Sequence, residues 1–529
     1  MRRGLNPPLL MIPSSKARFE SEPRPSSLHP RILHAMPTPD LQSRLQQAIQ
    51  SYEQGRSVEA ETICREVLKK DPKYVTALRV LALSCSRSMR WNDATRAIDK
   101  ARKLAPNDPA VLLNASTILI GLGRFDEALN AVRRARDLAP RNPQAASMFA
   151  EALVYANRHQ ECVDFLKAAA SNGPLPAAAI LSYVDACIEV GSLEEAIAAG
   201  RAFLDADADQ PPVVTRPVWS SLGRALEKTG RHAEAAEAWT SMNAVVPALF
   251  DPSEASGLID RLIADFPAER FAGRRETKAS ESRQPVFILG LARSGTSLLE
   301  RVVGAHPEAH GVGESTLLDE ILQARMGAGG AESVFRIAQA NDDDLERIRS
   351  DYLRGLQALA GRRTRIANKS LMLPREAGVI GLLFPKAAVL FTERDRADTA
   401  MSIFANTFDP IRMAWTGRMD WIGVMTALHE RLVAHWKTVL PNPMLSVDYQ
   451  TLARNPNEVV PGILEACGLT MDETCLHPET AARDARGARF IPTLSEQQVR
   501  KPINPNAIGR SKAHADLIAT FEREYAASP

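Results

Sequence analysis

The sequence predicts a multidomain chain in which an all-α repeat solenoid precedes a three-layer α/β domain with a mostly parallel sheet. Three observations support this fold class. The first half repeats with a period of 34 residues, which is the spacing of Pro72, Pro106 and Pro140. From about Gln284 onwards, short apolar segments alternate with helical patterns. A glycine-rich loop joins the first of these apolar segments to a helix.

Length and charge limit what the chain can be. A chain of 529 residues is too long for one hydrophobic core. Its net charge of +2 gives no overall field that would attract nucleic acid or an anionic membrane, and we expect no membrane span. Residues 1–38 are rich in Pro, Ser and Arg, which predicts a disordered extension, and Met36 near its end is an alternative start.

Each repeating unit has the pattern of two helices joined by a turn. Gly55, Gly123 and Gly191 occupy the same place in their units, and Met89 and Asn157 occupy it in the units between. Glycine and asparagine tolerate the left-handed conformation that ends a helix. A proline at the end of the unit then stops its second helix.

These units resemble the tetratricopeptide repeat, in about five to six copies over residues 39–247. Repeats of this kind stack into a superhelix with a concave face. The resemblance implies that the face binds a protein or peptide, here the acceptor of the second domain. A scaffold or a homodimerisation surface remains the alternative.

The six cysteines form no CxxC pair and have no His-rich segment beside them. This spacing predicts free thiols rather than a disulfide framework or a zinc site. Free thiols favour a reducing, cytoplasmic compartment.

The second half of the chain has three apolar segments that are typical of buried strands. They begin at Pro285, Lys386 and Met444. Helical patterns lie at residues 298–304, 397–408 and 424–439. Because strands and helices alternate, we expect a parallel sheet covered by helices on both faces. This predicts an α/β domain at residues 285–529, joined to the repeats by a helical linker at 248–284.

The first predicted strand runs into Gly290-Leu-Ala-Arg-Ser-Gly-Thr-Ser297, which has the form of a phosphate-binding loop. In such loops, backbone N–H groups and a helix N-terminus converge on an anion. Thr296 stands where nucleoside triphosphatases carry the loop lysine, which disfavours hydrolysis of ATP or GTP. Arg293 supplies the cation instead, and its guanidinium suits phosphate or sulfate oxygens.

A second candidate anion site follows the strand that begins at Lys386. Arg394 stands at the end of this strand, and Ser402 stands eight residues later on the next helix. Ligands of open α/β sheets bind beside such strand ends. The two sites together fit a nucleotide with anionic groups at both ends. No Asp/Glu cluster stands where a phosphate-bound magnesium ion needs ligands, so we expect no metal.

With these motifs, residues 285–512 resemble the sulfotransferase superfamily, especially tyrosylprotein sulfotransferases and bacterial proteins that join tetratricopeptide repeats to a sulfotransferase domain. The resemblance implies 3′-phosphoadenosine 5′-phosphosulfate as co-substrate. It assigns the 5′-phosphosulfate to Arg293, Ser294, Gly295, Thr296 and Ser297, and the 3′-phosphate to Arg394 and Ser402.

The resemblance also implies the groups that act on the sulfuryl group. Glu314, after Ala305-His-Pro-Glu308, matches the general base, and Lys369 matches the lysine that stabilises the transition state together with Arg293. Ser495 matches a residue that contacts the transferred group. Tyr449, Asn504 and Arg510 match further cofactor contacts. These matches predict transfer to an acceptor hydroxyl, above all a protein tyrosine, by in-line displacement.

Alternatives remain open at this point. His306 is a second candidate base, although its Ala-His-Pro context is typical of a helix end. A catalytically inactive scaffold would carry the same resemblance, although Arg293, Glu314 and Lys369 are intact. Asn406 stands where tyrosylprotein enzymes carry a further basic residue, and Ser370-Leu371 replaces the usual proline-containing pair. These departures bear on the acceptor more than on the donor.

Overall fold

The computed structural model describes residues 39–528, apart from short gaps at 89, 172, 174, 207–209, 247–248 and 371–372 and a longer one at 481–501. The predicted extension at residues 1–38 lies outside the described residues. The chain divides into two compact units, the first ending at Ser221 and the second beginning at Leu222.

The first unit consists of helices, each packed against the next from α1 to α10. Their bounds are α1 Pro39–Glu53, α2 Ser57–Lys70, α3 Val75–Arg87, α4 Trp91–Leu104, α5 Pro109–Gly121, α6 Phe125–Leu138, α7 Pro143–Tyr155, α8 His159–Ala170, α9 Ala177–Glu189 and α10 Leu193–Ala206. Helix α11 (Pro212–Lys228) crosses the division between the units, and α12 (His232–Ala244) belongs to the second.

The residues that define the repeat lie where its helices end. Gly55, Gly123, Gly191 and Asn157 each follow the first helix of a pair, with φ angles of 79°, 70°, 83° and 58°. The repeat prolines follow the last residues of α2, α4 and α6 by two positions. The predicted helical solenoid is therefore confirmed, while Met89 lies outside the described residues.

The second unit is built on a five-stranded sheet. The strands are β1 Pro285–Leu289, β2 Ala309–Gly311, β3 Arg365–Lys369, β4 Ala388–Glu393 and β5 Met444–Asp448. Their order is β2-β3-β1-β4-β5, and every neighbouring pair is parallel. After β1, the chain first adds β2 and β3 on one side of it and then β4 and β5 on the other side. Such a reversal of strand order opens a crevice at the carboxyl ends of the strands.

Helices cover both faces of this sheet. Their bounds are α13 Pro252–Asp265, α14 Thr296–Gly304, α15 Leu317–Met326, α16 Ala331–Ala338, α17 Asp342–Ala360, α18 Leu373–Leu383, α19 Arg396–Phe404, α20 Met419–Val439, α21 Tyr449–Arg454, α22 Pro456–Ala466 and α23 Ala515–Ala527. Phe287 and Leu289 of β1 belong to one apolar core, with side chains of α13, α17 and α20. Val286 and Ile288 belong to the opposite core, with side chains of α14 and α22. The three-layer α/β arrangement is therefore confirmed.

Two features of the second unit differ from what the pattern alone indicates. Strands β2 and β3 had no apolar signal, because β2 has three residues and β3 reads Arg-Ile-Ala-Asn-Lys. Ile259 and Leu262, from the predicted linker, lie in the core beside the sheet. Among the described helices, none is both long and apolar enough to cross a membrane.

Candidate active site

Each strand of the sheet delivers a site segment at its carboxyl end. The phosphate loop follows β1, Glu314 follows β2, Lys369 ends β3, Arg394 follows β4 and Tyr449 follows β5. All five strands are parallel, so these segments lie along one edge of the sheet. The topology thus collects residues that are far apart in the sequence.

The phosphate loop has the tight geometry that its glycines allow. Arg293 and Gly295 have left-handed φ angles of 67° and 107°. A Cβ atom on Gly290 would lie 2.0 Å from the Thr392 hydroxyl, so a larger residue does not fit there. The Ser294 and Thr392 hydroxyls are 2.6 Å apart, which ties the loop to the neighbouring strand β4. The N-terminus of α14 begins directly behind the loop, where it favours an anion.

Side chains from three segments interlock around the loop. Arg293 Nε donates to Ser402 Oγ at 3.0 Å. Arg394 Nη1 donates to the carbonyl oxygen of Arg293 at 3.0 Å, and its guanidinium lies 4.7 Å from the centre of the Tyr449 ring. The structure therefore brings Arg293, Arg394, Ser402 and Tyr449 together.

This cluster brings several positive charges close together. Burial, followed by the charges of Arg394 and Arg510, lowers the pKa of Arg293 to about 9, which leaves its guanidinium charged at neutral pH. The buried Nε of Arg394 has no hydrogen-bond partner among the described residues. Repulsion between buried like charges is costly, and so is a buried donor without a partner. An anion with several oxygens would satisfy both, so the residues fit a phosphate or sulfate group.

Glu314 and Lys369 form an ion pair at the adjacent strand ends. Lys369 Nζ lies 2.6 Å from Glu314 Oε1, and the lysine side chain is 2% exposed while that of Glu314 is 36% exposed. Glu300 of α14 holds the loop before Glu314 by accepting a hydrogen bond from the Gly313 N–H. Glu300 belongs to no recognisable motif, so the sequence alone does not predict its role.

The C-terminal segment contributes in part. Arg510 begins a short 3-10 turn, and the N–H groups of its two chain neighbours, Gly509 and Ser511, donate to the buried carboxylate of Asp398 at 2.6 and 2.8 Å. The Asn504 amide is used within its own turn, where it donates to Pro502 O and accepts from Asn506 N. Ser495 lies outside the described residues. The role of Asp398, like that of Glu300, is not predicted from the sequence.

The alternative base and the substituted position both have local roles. The His306 ring is buried, with Nε2 3.1 Å from the carbonyl oxygen of Thr470 and Nδ1 accepting from the Glu308 N–H. These backbone contacts indicate a structural role. Asn406 donates to the carbonyl oxygen of Ser402 at 2.7 Å, so it closes the helix that carries Ser402.

The sequence contains six cysteines. All six are buried free thiols, and burial raises the pKa of Cys64 and Cys467 to about 12. Among the described residues, no group of three or more His, Cys, Asp or Glu side chains is placed to hold a metal ion.

Known protein families match both parts of the chain. Residues 285–473 match the sulfotransferase family, and residues 87–143 and 113–161 match the tetratricopeptide repeat. The matched sulfotransferase region contains every strand and the segments that carry Arg293, Glu314, Lys369, Arg394 and Tyr449.

Relatives come from bacteria and animals. An uncharacterised protein of Aquifex aeolicus is 27% identical over 324 residues, which is 58% of this chain and 41% of that protein. Protein-tyrosine sulfotransferase 2 of Gallus gallus is 22% identical over 45% of this chain and 66% of its own length. Protein-tyrosine sulfotransferase A of Caenorhabditis elegans is 26% identical over 42% of this chain and 60% of its own length. The chain thus spans less than two thirds of each relative. The chain thus combines a region similar to the sulfotransferase family, at residues 285–473, with preceding segments similar to the tetratricopeptide repeat.

Proposed function

We propose that the protein is a sulfotransferase that moves the sulfuryl group of 3′-phosphoadenosine 5′-phosphosulfate to an acceptor hydroxyl, by in-line displacement with Glu314 as the general base. The observation that carries the proposal is the arginine cluster at the phosphate loop. Two anion-binding segments, separated by 109 positions in the chain, meet there through the bond between Arg293 and Ser402. A nucleotide with a 5′-phosphosulfate and a 3′-phosphate supplies anionic groups for both segments.

The mechanism follows from the groups along this edge of the sheet. The acceptor oxygen forms a bond to sulfur while the bond from sulfur to the bridging phosphate oxygen breaks, and 3′-phosphoadenosine 5′-phosphate leaves. Glu314 takes the proton of the acceptor hydroxyl. The charges of Arg293 and Lys369 stabilise the sulfate and bridging oxygens as negative charge builds on them. Ser495, a match to the residue that contacts the transferred group, belongs to the same proposal.

The proposed acceptor is a tyrosine of a protein or peptide. Similarity to animal enzymes named protein-tyrosine sulfotransferases supports this choice. Tetratricopeptide repeats present concave surfaces that commonly bind peptides, so the repeat array would recruit the acceptor protein. Further donor contacts are proposed for Ser294, Gly295, Thr296, Ser297 and Tyr449, with Asn504 and Arg510 from the C-terminal segment.

Calorimetry with 3′-phosphoadenosine 5′-phosphate and with ATP tests donor choice. We expect the first nucleotide to bind and ATP to bind far more weakly, because the loop has no lysine for a third phosphate. Mass spectrometry of a tyrosine peptide, incubated with donor and enzyme, then tests transfer. Binding without transfer to any tyrosine, sugar or small phenol would favour a catalytically inactive nucleotide-binding scaffold. Preference for ATP would contradict the proposal.

A further inference from the structure

The end of helix α11 reaches the C-terminal segment of the second unit. Glu227 Oε1 accepts a hydrogen bond from Arg510 Nε at 2.7 Å and lies 3.3 Å from His514 Nε2. The side chains of Glu227 and Arg510 are 20% and 19% exposed, and that of His514 is 1% exposed. Glu227 and Arg510 are 283 positions apart in the chain, and both belong to the second unit.

Arg510 is held from several sides at once. Asp398 binds the two N–H groups that flank it and so fixes its backbone. The buried Trp239 ring of α12 lies 4.9 Å from its guanidinium carbon. Gly223 makes room for that ring, because a Cβ atom there would lie 2.2 Å from the indole nitrogen. Because the backbone of Arg510, the face of its guanidinium and its Nε are all in contact with other groups, the guanidinium has few available orientations.

The bond to Glu227 still allows Arg510 to contact an anion. Arginine has five N–H donors, and the bond to Glu227 uses the one on Nε. Arg394 of the arginine cluster donates from Nη2 to the carbonyl oxygen of Ala507, three positions before Arg510, at 2.7 Å. Burial and then nearby positive charges, that of Arg510 among them, lower the pKa of Arg293 in the phosphate loop. The C-terminal segment that carries Arg510 therefore lies against the arginine cluster.

We propose that Glu227 is a positioning residue of the donor site, which aims Arg510 at the 3′-phosphate. Donor recognition then requires the last part of α11, outside the sulfotransferase segment at 285–473. The inference rests on the proposed function, because it takes the donor nucleotide as the anion that Arg510 meets.

Calorimetry on the full chain tests this with two nucleotides that differ by one group. 3′-Phosphoadenosine 5′-phosphate carries the 3′-phosphate, and adenosine 5′-monophosphate lacks it. We expect Glu227→Gln to reduce the affinity for 3′-phosphoadenosine 5′-phosphate by about tenfold and that for adenosine 5′-monophosphate by less than about twofold. The substitution weakens one charge-assisted hydrogen bond, the one to Arg510. In an Arg510→Ala background, Glu227→Gln should have no further effect, because the two residues act as one unit.

The outcomes separate this inference from the proposed function. Unchanged or tighter binding by Glu227→Gln, with clear loss in Arg510→Ala, overturns the positioning role and leaves the sulfotransferase proposal intact. Equal loss for both nucleotides shows that Glu227 only maintains the fold. Glu227→Asp, which keeps the charge and shortens the side chain, repeats the test if the glutamine variant does not fold. A wild-type chain that binds neither nucleotide defeats both proposals.

Discussion

Lys369 is buried at the end of β3, and the carboxylate of Glu314 pairs with its ammonium at 2.6 Å. Removing Glu314 altogether would leave a buried charge without its partner, which is costly. Glu314→Gln is the better test, because the amide oxygen still accepts a hydrogen bond from Lys369 while losing the ability to take a proton. We expect turnover to fall by about 100- to 10,000-fold, the usual contribution of a general base, in single-turnover sulfation assays.

Two controls define the result for Glu314. Affinity for 3′-phosphoadenosine 5′-phosphate should change by less than about twofold, since the donor is held mainly by the arginine cluster. Glu308→Gln, an exposed carboxylate six positions earlier, should keep wild-type turnover. Full activity in Glu314→Gln would place the base elsewhere, and equal loss of binding and turnover would show a structural role.

Residues in the site differ in how far sequence alone predicts them. Arg293 is recognisable because its loop has a fixed spacing of glycines between a strand and a helix. Asp398 has no such signal, because the N–H groups that it binds are 111 and 113 positions away. Glu227 is hidden for the same reason, at 283 positions from Arg510. Local chemistry predicts the groups that touch the ligand, whereas tertiary structure decides which groups hold them.

Among the elements, strands with a continuous apolar run were predictable and polar ones were not. Strands β1 and β4 are buried along most of their length and agree with the predicted segments to within about two residues. Strand β3 ends in Asn368 and Lys369, which are buried but polar because one bonds the Tyr352 hydroxyl and the other pairs with Glu314. A strand that carries site residues thus loses the pattern by which strands are recognised.

The strand-loop-helix element at Gly290 gives a prediction of its own. Gly290→Ala would place a methyl group against the Thr392 and Ser294 hydroxyls, at 2.0 and 2.6 Å. Such overpacking costs about 1–3 kcal/mol. We expect a lower midpoint temperature for the thermal unfolding of the second unit. We also expect weaker binding of 3′-phosphoadenosine 5′-phosphate.

Gly462→Ala is the matched control for this loop. Gly462 lies inside α22, and apart from its chain neighbours and the backbone of its own helix no atom lies within 4 Å of the place that an alanine methyl group would take. Alanine should therefore be neutral there or stabilise the helix by up to about 1 kcal/mol. A Gly290→Ala protein as stable and as tightly bound as wild type would show that the loop can relax around the methyl group.

At the scale of the whole molecule, the 34-residue period predicted the solenoid well because each repeat contacts its neighbours along the chain. The limit of that solenoid was harder to predict. The repeat pattern continues to α12, yet the compact units divide at Ser221 and Leu222, inside α11. Trp239 of α12 packs against His514 in the C-terminal segment, so α12 and the last part of α11, which continue the repeat pattern, belong to the second unit.

Because every described candidate donor residue lies in the second unit, the donor nucleotide should stabilise that unit selectively. A ligand that binds the folded state at 100 times its Kd adds about 2.7 kcal/mol of stability. We expect 3′-phosphoadenosine 5′-phosphate to raise the midpoint temperature of one calorimetric transition of the full chain and to leave that of the other unchanged. Hydrogen exchange should slow at the phosphate loop, around Arg394 and at residues 222–228, but not in α1 to α10. Added ATP serves as the control and should slow exchange little. Protection that extends through the repeat helices would show instead that donor binding is coupled to the solenoid.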